Sequence, residues 1–235
     1  MKAMILAAGR GARMRPLTDS CPKPLLKVQG LPLIEYHIRN LVAAGIEDIV
    51  INHAWLGEQI VTHLGCGEQF SANIRYSEEP VALETAGGII NALDMLAEKD
   101  DDVFLVINGD IFCDFDLTSL PTLKAECNAH LVLVENPEHN PKGDFQLSAG
   151  MLMNRKEDQQ ASYTFSGIAL YRKIFFKPYD ENTAADNNIL LQPTVQPLAP
   201  MLRAAAEQQT VSATVMVNAW TDVGTPERLA KLNAI

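Results

Sequence analysis

The stretch Met4-Ile5-Leu6-Ala7-Ala8-Gly9-Arg10-Gly11-Ala12-Arg13-Met14-Arg15-Pro16-Leu17-Thr18 decides how the rest of the chain is read. The apolar run Ala3–Ala8 has the length and composition of a buried strand. It passes without a polar break into Gly9 and Gly11, and small residues let a backbone approach a ligand closely. Arg10, Arg13 and Arg15 follow, then Lys23 in Pro22-Lys23-Pro24-Leu25. A glycine turn ringed by fixed positive charge suits a polyphosphate.

The charge balance supports that reading. Residues 1–27 hold six basic groups and one acid, a local charge of +5 in a chain of net charge −10, which leaves −15 on the remainder. An acidic protein with one basic pocket points to a small anionic ligand and away from nucleic acid or an anionic membrane. With 235 residues and 47% hydrophobic content the chain is long enough for one sizeable domain with a real core. Four cysteines show neither CxxC pairing nor zinc spacing with histidine. They read as free, mostly buried thiols of a reducing, cytoplasmic compartment. No signal-peptide layout and no apolar run of membrane-spanning length is present.

Beyond the first strand, short apolar runs alternate with helix-period segments. Leu33, Ile34, His37, Ile38, Leu41 and Val42 recur at helical spacing, and Gly45 ends that helix. Strands are expected at Asp48–Asn52, Ile74–Ser77, Val103–Asn108 and His130–Glu135. Helices are expected at Leu56–Leu64 and Thr85–Ala97. In the second half, Asp144–Met153, Thr164–Tyr171 and Thr210–Val217 read as strands, the first two antiparallel, and Pro226–Asn233 as a closing helix. Residues 178–200, rich in Pro and Asn, read as an irregular excursion. The alternation predicts an α/β fold with a mostly parallel central sheet covered by helices on both faces.

Three phosphate-binding loops could follow a first strand. The nucleoside-triphosphatase loop requires GxxxxGK[ST], which is absent. The dinucleotide fingerprint requires GxGxxG, but Met14 stands where the third glycine belongs, and Pro16 and Pro22 keep the segment irregular. What remains, LAAGRGARMRPLT followed by PKPL, resembles the signature of the sugar-1-phosphate nucleotidyltransferases. The resemblance implies a Rossmann-like fold of the glycosyltransferase-A type with a small antiparallel sugar-binding subregion. It also implies a single domain over 1–235, with its nucleotide-binding part at about 1–128 and its sugar-phosphate part at about 129–235. By the same resemblance Leu6, Ala7, Ala8 and Gly9 present backbone to the nucleoside. Gly11, Ala12 and Arg13 wrap the phosphates, and Lys23 bridges the phosphates of both substrates. Two such anions repel strongly unless cations lie between them.

Asp110 lies two residues beyond the run Val103–Asn108, and strand carboxyl ends are where open α/β sheets bind ligands. Asp222 lies in Trp220-Thr221-Asp222-Val223-Gly224-Thr225-Pro226. Each alone reads equally well as a turn residue. The family has both elements, so the resemblance makes Asp110 and Asp222 the ligands of Mg2+, an ion commonly held by one or two carboxylates plus substrate phosphates. Asp114 and Asp116 read as helix-start acids.

Glu84-Thr85-Ala86-Gly87-Gly88 resembles the family's Gly-Thr-Ala-Gly base-contact loop, with Glu84 in place of the first glycine, which implies nucleotide contacts at Glu84, Thr85 and Gly88. For the sugar phosphate, family position points to Asn108, Gly143, Asp144, Ser166 and Gly167. The family's Glu-Lys-Pro segment is missing, which sets the chain apart from the common glucose-1-phosphate enzymes. Ile51-Asn52-His53-Ala54-Trp55-Leu56-Gly57 narrows the resemblance to the subgroup that uridylylates N-acetylmuramate 1-phosphate in cell-wall recycling. His53 and Trp55 themselves read as helix-packing residues, and His37 as core.

The implied reaction transfers a uridylyl group from UTP to a sugar-1-phosphate and releases pyrophosphate, with Arg13, Lys23, Asp110 and Asp222 as its catalytic set. Glucose-1-phosphate uridylyl- or thymidylyltransfer and mannose-1-phosphate guanylyltransfer are the alternatives of the same chemistry. A non-catalytic nucleotide-binding regulator is the alternative of another class, but it would be expected to lose one of those four residues. The expected partners are UTP and the sugar-1-phosphate, in a monomer or small homo-oligomer.

Overall fold

The computed structural model of the protein describes residues 1–155, 162–179 and 195–234. Strands β1 (Lys2–Leu6), β2 (Lys27–Val28), β3 (Leu31–Pro32) and β4 (Asp48–His53) are interleaved with helix α1 (Leu33–Ala43). Then come α2 (Gly57–Leu64), β5 (Asn73–Glu78), α3 (Glu84–Asn91), α4 (Leu93–Leu96), β6 (Val103–Asn108) and β7 (Ile111–Cys113). The second half holds β8 (Ala129–Val134), β9 (Phe145–Ser148), β10 (Met151–Asn154) and β11 (Thr164–Arg172). It closes with α5 (Leu198–Glu207), β12 (Val211–Val215), β13 (Trp220–Asp222) and α6 (Pro226–Asn233).

Among the described residues nine strands form one mixed sheet in the order β5-β4-β1-β6-β11-β8-β12-β10-β9. Pairing is parallel for β1/β4, β4/β5 and β8/β12, and antiparallel for β8/β11, β10/β12 and β9/β10. The α/β alternation and the antiparallel pairing of β9, β10 and β11 are as the sequence predicts. The physical cause is visible in β8, where all six residues are buried, as a strand covered on both faces requires.

The chain divides into two compact units. The first comprises residues 1–82, 106–120 and 219–235, the second 83–105 and 121–218. In the first, α1 buries Leu33, Ile34, His37, Ile38 and Leu41. It stops at Gly45, whose φ of +77° lets the Gly45 and Ile46 amides turn back onto the carbonyls of Val42 and Leu41. Met14, Leu26, Val28, Leu33, Val223 and Leu229 form a buried cluster that anchors the glycine loop and α6 to the same core. In the second unit, Phe104, Tyr171, Phe175 and Phe176 pack ring against ring, with centroids 5.0–6.3 Å apart.

Four sequence expectations need correction. Asp144–Met153 is a hairpin, β9 and β10, turning through Ala149 and Gly150, which both have positive φ. The helix expected over Thr85–Ala97 breaks at Ala92 into α3 and α4. The excursion 178–200 lies largely outside the described residues, but its last three residues open α5, where Pro200 sits in the first turn and removes no needed intrahelical bond. The cysteines are free as expected, yet only Cys127 is buried, while Cys66 is exposed and Cys21 and Cys113 are intermediate.

Candidate active site

In the first unit the glycine loop leaves β1 and winds through three short 3-10 turns, at Ala12–Met14, Leu17–Asp19 and Lys23–Leu25. Gly11 has φ +65°, and a Cβ there would lie 2.9 Å from the Thr18 methyl. Its carbonyl accepts from Thr18 Oγ1 and from the Met14 amide, each at 2.8 Å. Met14 is fully buried and pins the turn, while its neighbours Ala12 and Arg13 stay exposed. The loop therefore presents Arg13 outward from a rigid base.

Two ion pairs define the chemistry of this unit. Lys23, 9% exposed, donates from Nζ to Asp110 Oδ2 at 2.6 Å. A lysine this buried needs such a partner, because an unpaired buried charge is costly. Asp222 is held by Arg228 of α6. The two aspartates are brought together by the ribbon β7/β13, in which Asp222 pairs with Ile111, and by the Val223 amide, which donates to the Asp110 carbonyl at 2.7 Å. Asp110 leaves β6 through Gly109, whose amide bonds Leu6 O at 2.9 Å. A Cβ at Gly109 would stand 2.6 Å from that same oxygen. Only glycine permits the ends of β1 and β6 to approach this closely. Beneath Asp110 lies His37, whose pKa burial lowers to about 4 against the pull of the Asp110 charge and the Ile111 backbone. It is a core residue, as the sequence suggests.

Two arrangements here were not anticipated. Trp55, read as helix packing, donates from Nε1 to Thr18 O at 3.0 Å and carries the Arg10 guanidinium 4.7 Å above its ring. Gln59 reaches Ser20 O at 3.1 Å. Together they tie the loop to the β4–α2 segment. Asn52, buried at the end of β4, accepts from the Ala7 amide at 2.7 Å and donates to the buried Glu79 at 2.6 Å. This fixes Ala7 and Ala8 where β1 ends. Such contacts, 27 to 45 residues apart in sequence, leave no local signal.

The second unit holds the remaining predicted residues except Asn108, which ends β6 in the first unit. Glu84 opens α3 with φ +62°, the left-handed region in which glycine is at ease. Thr85 is half-buried and Gly88 buried, while the amides of Ala86 and Gly87 both donate to Gln196 O at 3.0 Å. Ser166 and Gly167 form a bulge in β11, between Phe165 and Ile168, with Gly167 at φ +89° and Ser166 Oγ accepting from Ile168 N at 3.2 Å. Bulges re-aim side chains beside active sites. Asp144 pins the start of that strand. Its Oδ1 accepts from Asn140 Nδ2 at 3.1 Å and its Oδ2 from Phe165 N at 2.9 Å. Each carboxylate oxygen retains a second lone pair for a ligand hydroxyl. Gly143, φ +62°, packs against the Asn136 amide, where a Cβ would lie 2.5 Å from Oδ1.

A mixed α/β sheet with a basic glycine loop and two carboxylates gathered at the β7/β13 ribbon defines a phosphate-handling enzyme. The profile of the family described as nucleotidyl transferase matches residues 2–145, and the chain belongs to that family. The chain is 46% identical to the N-acetylmuramate alpha-1-phosphate uridylyltransferase of Neisseria meningitidis serogroup B, over 100% of this chain and 98% of that protein. It is 33% identical to a mannose-1-phosphate guanyltransferase of Gibberella zeae, over 97% of this chain and 62% of that protein. A solved Bacillus anthracis structure, provisionally described as a glucose-1-phosphate thymidylyltransferase, superposes with a TM-score of 0.82 at 24% identity, covering 100% of this chain and 94% of that one. At that identity the likeness speaks for the fold alone.

Proposed function

We propose that the protein transfers a uridylyl group from UTP to N-acetylmuramate 1-phosphate, forming the UDP-sugar and pyrophosphate. The observation that carries the chemistry is the convergence of Lys23, Asp110 and Asp222 in one unit. The choice of substrates rests on the full-length identity to the Neisseria protein.

An oxygen of the sugar-1-phosphate attacks the α-phosphorus of UTP. The bond from that phosphorus to the bridging oxygen breaks, and pyrophosphate leaves with the electron pair. The attacking phosphate has a second pKa of about 6, so it is largely dianionic at neutral pH and needs no general base. Arg13 takes the leaving pyrophosphate. Lys23 lies between the two phosphates, which requires it to exchange Asp110 for substrate oxygens. The glycine loop holds the reactants in line, and positioning with charge neutralisation supplies the rate.

Asp110 and Asp222 fit a divalent cation. Among the described residues no group of three acidic, histidine or cysteine side chains forms a metal site. Two adjoining carboxylates completed by substrate phosphates match Mg2+, which keeps few protein ligands. When bound, the ion would neutralise the triphosphate. Asp144, Ser166, Gly167, Gly143 and Asn108 contact the sugar phosphate in this reading, and Glu84, Thr85 and Gly88 the nucleotide. No helix among the described residues is long and apolar enough to cross a membrane.

Asp110→Ala tests the site. Pyrophosphate release should vanish at saturating Mg2+ while the far-UV spectrum stays unchanged. Full turnover by that variant would sink the assignment.

A further inference from the structure

The nine residues Trp220–Arg228 contain more than the aspartate at position 222. Asp222 ends β13, and its carboxylate is gripped by Arg228 Nη1. Both side chains are largely buried, 19% and 17% exposed. The chain between them is shaped for this contact. Val223 is fully buried and bonded to Asp110 O. A Cβ on Gly224 would lie 2.8 Å from Asp222 Oδ2 and 3.0 Å from Arg228 Nη2, so a side chain there would have to displace the pair. Thr225 caps α6 by accepting from the Arg228 amide, and Pro226 opens the first turn.

Helix α6 cannot drift. Leu229, the next residue, is buried in the cluster with Met14 and Val223. At the other end Asn233 donates to Lys27 O at 3.1 Å and accepts from Gln29 N at 2.7 Å. Arg228 is therefore a fixed, permanently charged fork that reaches back to the Asp222 carboxylate.

We infer that Arg228 is a positioning residue, which fixes the Asp222 carboxylate in the orientation that receives the divalent cation. The inference rests on the proposed role of Asp222 as a metal ligand. An ionised carboxylate has about four lone-pair sites, so accepting from arginine does not by itself stop it from ligating a metal. Outer-shell partners of ligating carboxylates typically set metal affinity by about 10- to 100-fold. Asp110 has its own cation, but Lys23 must leave it for the phosphates. Arg228, locked in a capped helix, stays.

The test is Mn2+ binding followed by electron paramagnetic resonance, in the full-length protein with a non-hydrolysable UTP analogue. Arg228→Met should raise the Mn2+ dissociation constant by about 10- to 100-fold. Arg228→Lys should recover part of the loss. In turnover assays the same variants should raise the KM for Mg2+ and largely keep kcat at saturating Mg2+. Should Arg228→Met not fold, Gly224→Ala, whose methyl pushes the pair apart, should weaken Mn2+ in the same direction. Asp222→Ala separates the two ideas. If it loses Mn2+ while Arg228→Met and Gly224→Ala bind as tightly as the parent, the positioning role is overturned and the metal site stands. If Asp222→Ala binds Mn2+ unchanged, the metal reading falls and the inference with it. Equal losses in the Met and Lys variants, with a lowered melting temperature, would make Arg228 a stability residue only.

Discussion

Gly9 and Gly109 face the same loop yet should fail in opposite ways when replaced by alanine. At Gly109 a Cβ would stand 2.6 Å from Leu6 O and 3.3 Å from Ile5 Cγ2. The nearer atom is backbone, in β1 at the centre of the sheet, so no rotamer change relieves the contact. The Gly109 N–H to Leu6 O bond must stretch as well. Overpacking of this kind costs about 1–3 kcal/mol, and a strained buried hydrogen bond adds about 1 kcal/mol. For a chain of this length each kcal/mol moves the melting temperature by about 2–4 °C, so Gly109→Ala should melt roughly 5–15 °C lower. Its activity should fall too, because Asn108 and Asp110 flank the displaced residue. At Gly9 nothing lies within 4 Å of an added Cβ, and φ is ordinary. Gly9→Ala should hold the parent melting temperature within about 1–2 °C, while the new methyl intrudes where the nucleotide approaches and raises the KM for UTP. Differential scanning fluorimetry and a pyrophosphate-release assay on both variants decide the matter. A Gly109→Ala protein as stable as the parent would refute the packing argument. A fully active Gly9→Ala protein would refute the placement of the nucleotide.

Two further perturbations follow from the same geometry. His37 has its pKa lowered to about 4 by burial, so between about pH 6.5 and 4 the unfolded chain takes up a proton that the folded one refuses. Stability should drop by about 3 kcal/mol as pH falls through that window, and urea titrations at pH 7 and pH 4.5 should show a smaller difference in His37→Phe; an unchanged pH slope would contradict the burial. Trp55→Ala removes the hydrogen bond to Thr18 and the shelf under Arg10, together about 1.5–2 kcal/mol of loop anchoring. The KM for UTP should rise roughly ten-fold, with Trp55→Phe intermediate because it keeps only the ring, and a parent-like KM in both would show the clasp to be idle.

How far the sequence could be read depended on the range of the interaction. Strand β6 spans Val103–Asn108, as its unbroken apolar run predicts, because a strand buried on both faces has no alternative pattern. The hairpin at Ala149-Gly150 was hidden because the turn lacks the usual Asn-Gly or Asp-Gly, and Ala149 accepts a positive φ instead. Helix α5 was hidden by Pro197 and Pro200, which read as breakers although one precedes the helix and the other lies in its first turn. The break at Ala92 has no Gly or Pro to announce it. In the candidate site, the loop and Lys23 drew attention by glycine and charge, and both aspartates only by the family resemblance. The residues that hold them were silent: Asn52, Trp55 and Gly109 reach partners 45, 37 and 103 residues away only through the fold, and Arg228 looks like any charged residue on a surface helix.

The most direct measurement is pyrophosphate release across a matrix of nucleoside triphosphates and sugar-1-phosphates in the presence of Mg2+. The account predicts that UTP with N-acetylmuramate 1-phosphate gives the highest kcat/KM, and that the rate vanishes when the metal is chelated. A preference for glucose 1-phosphate, or for GTP with mannose 1-phosphate, would contradict it.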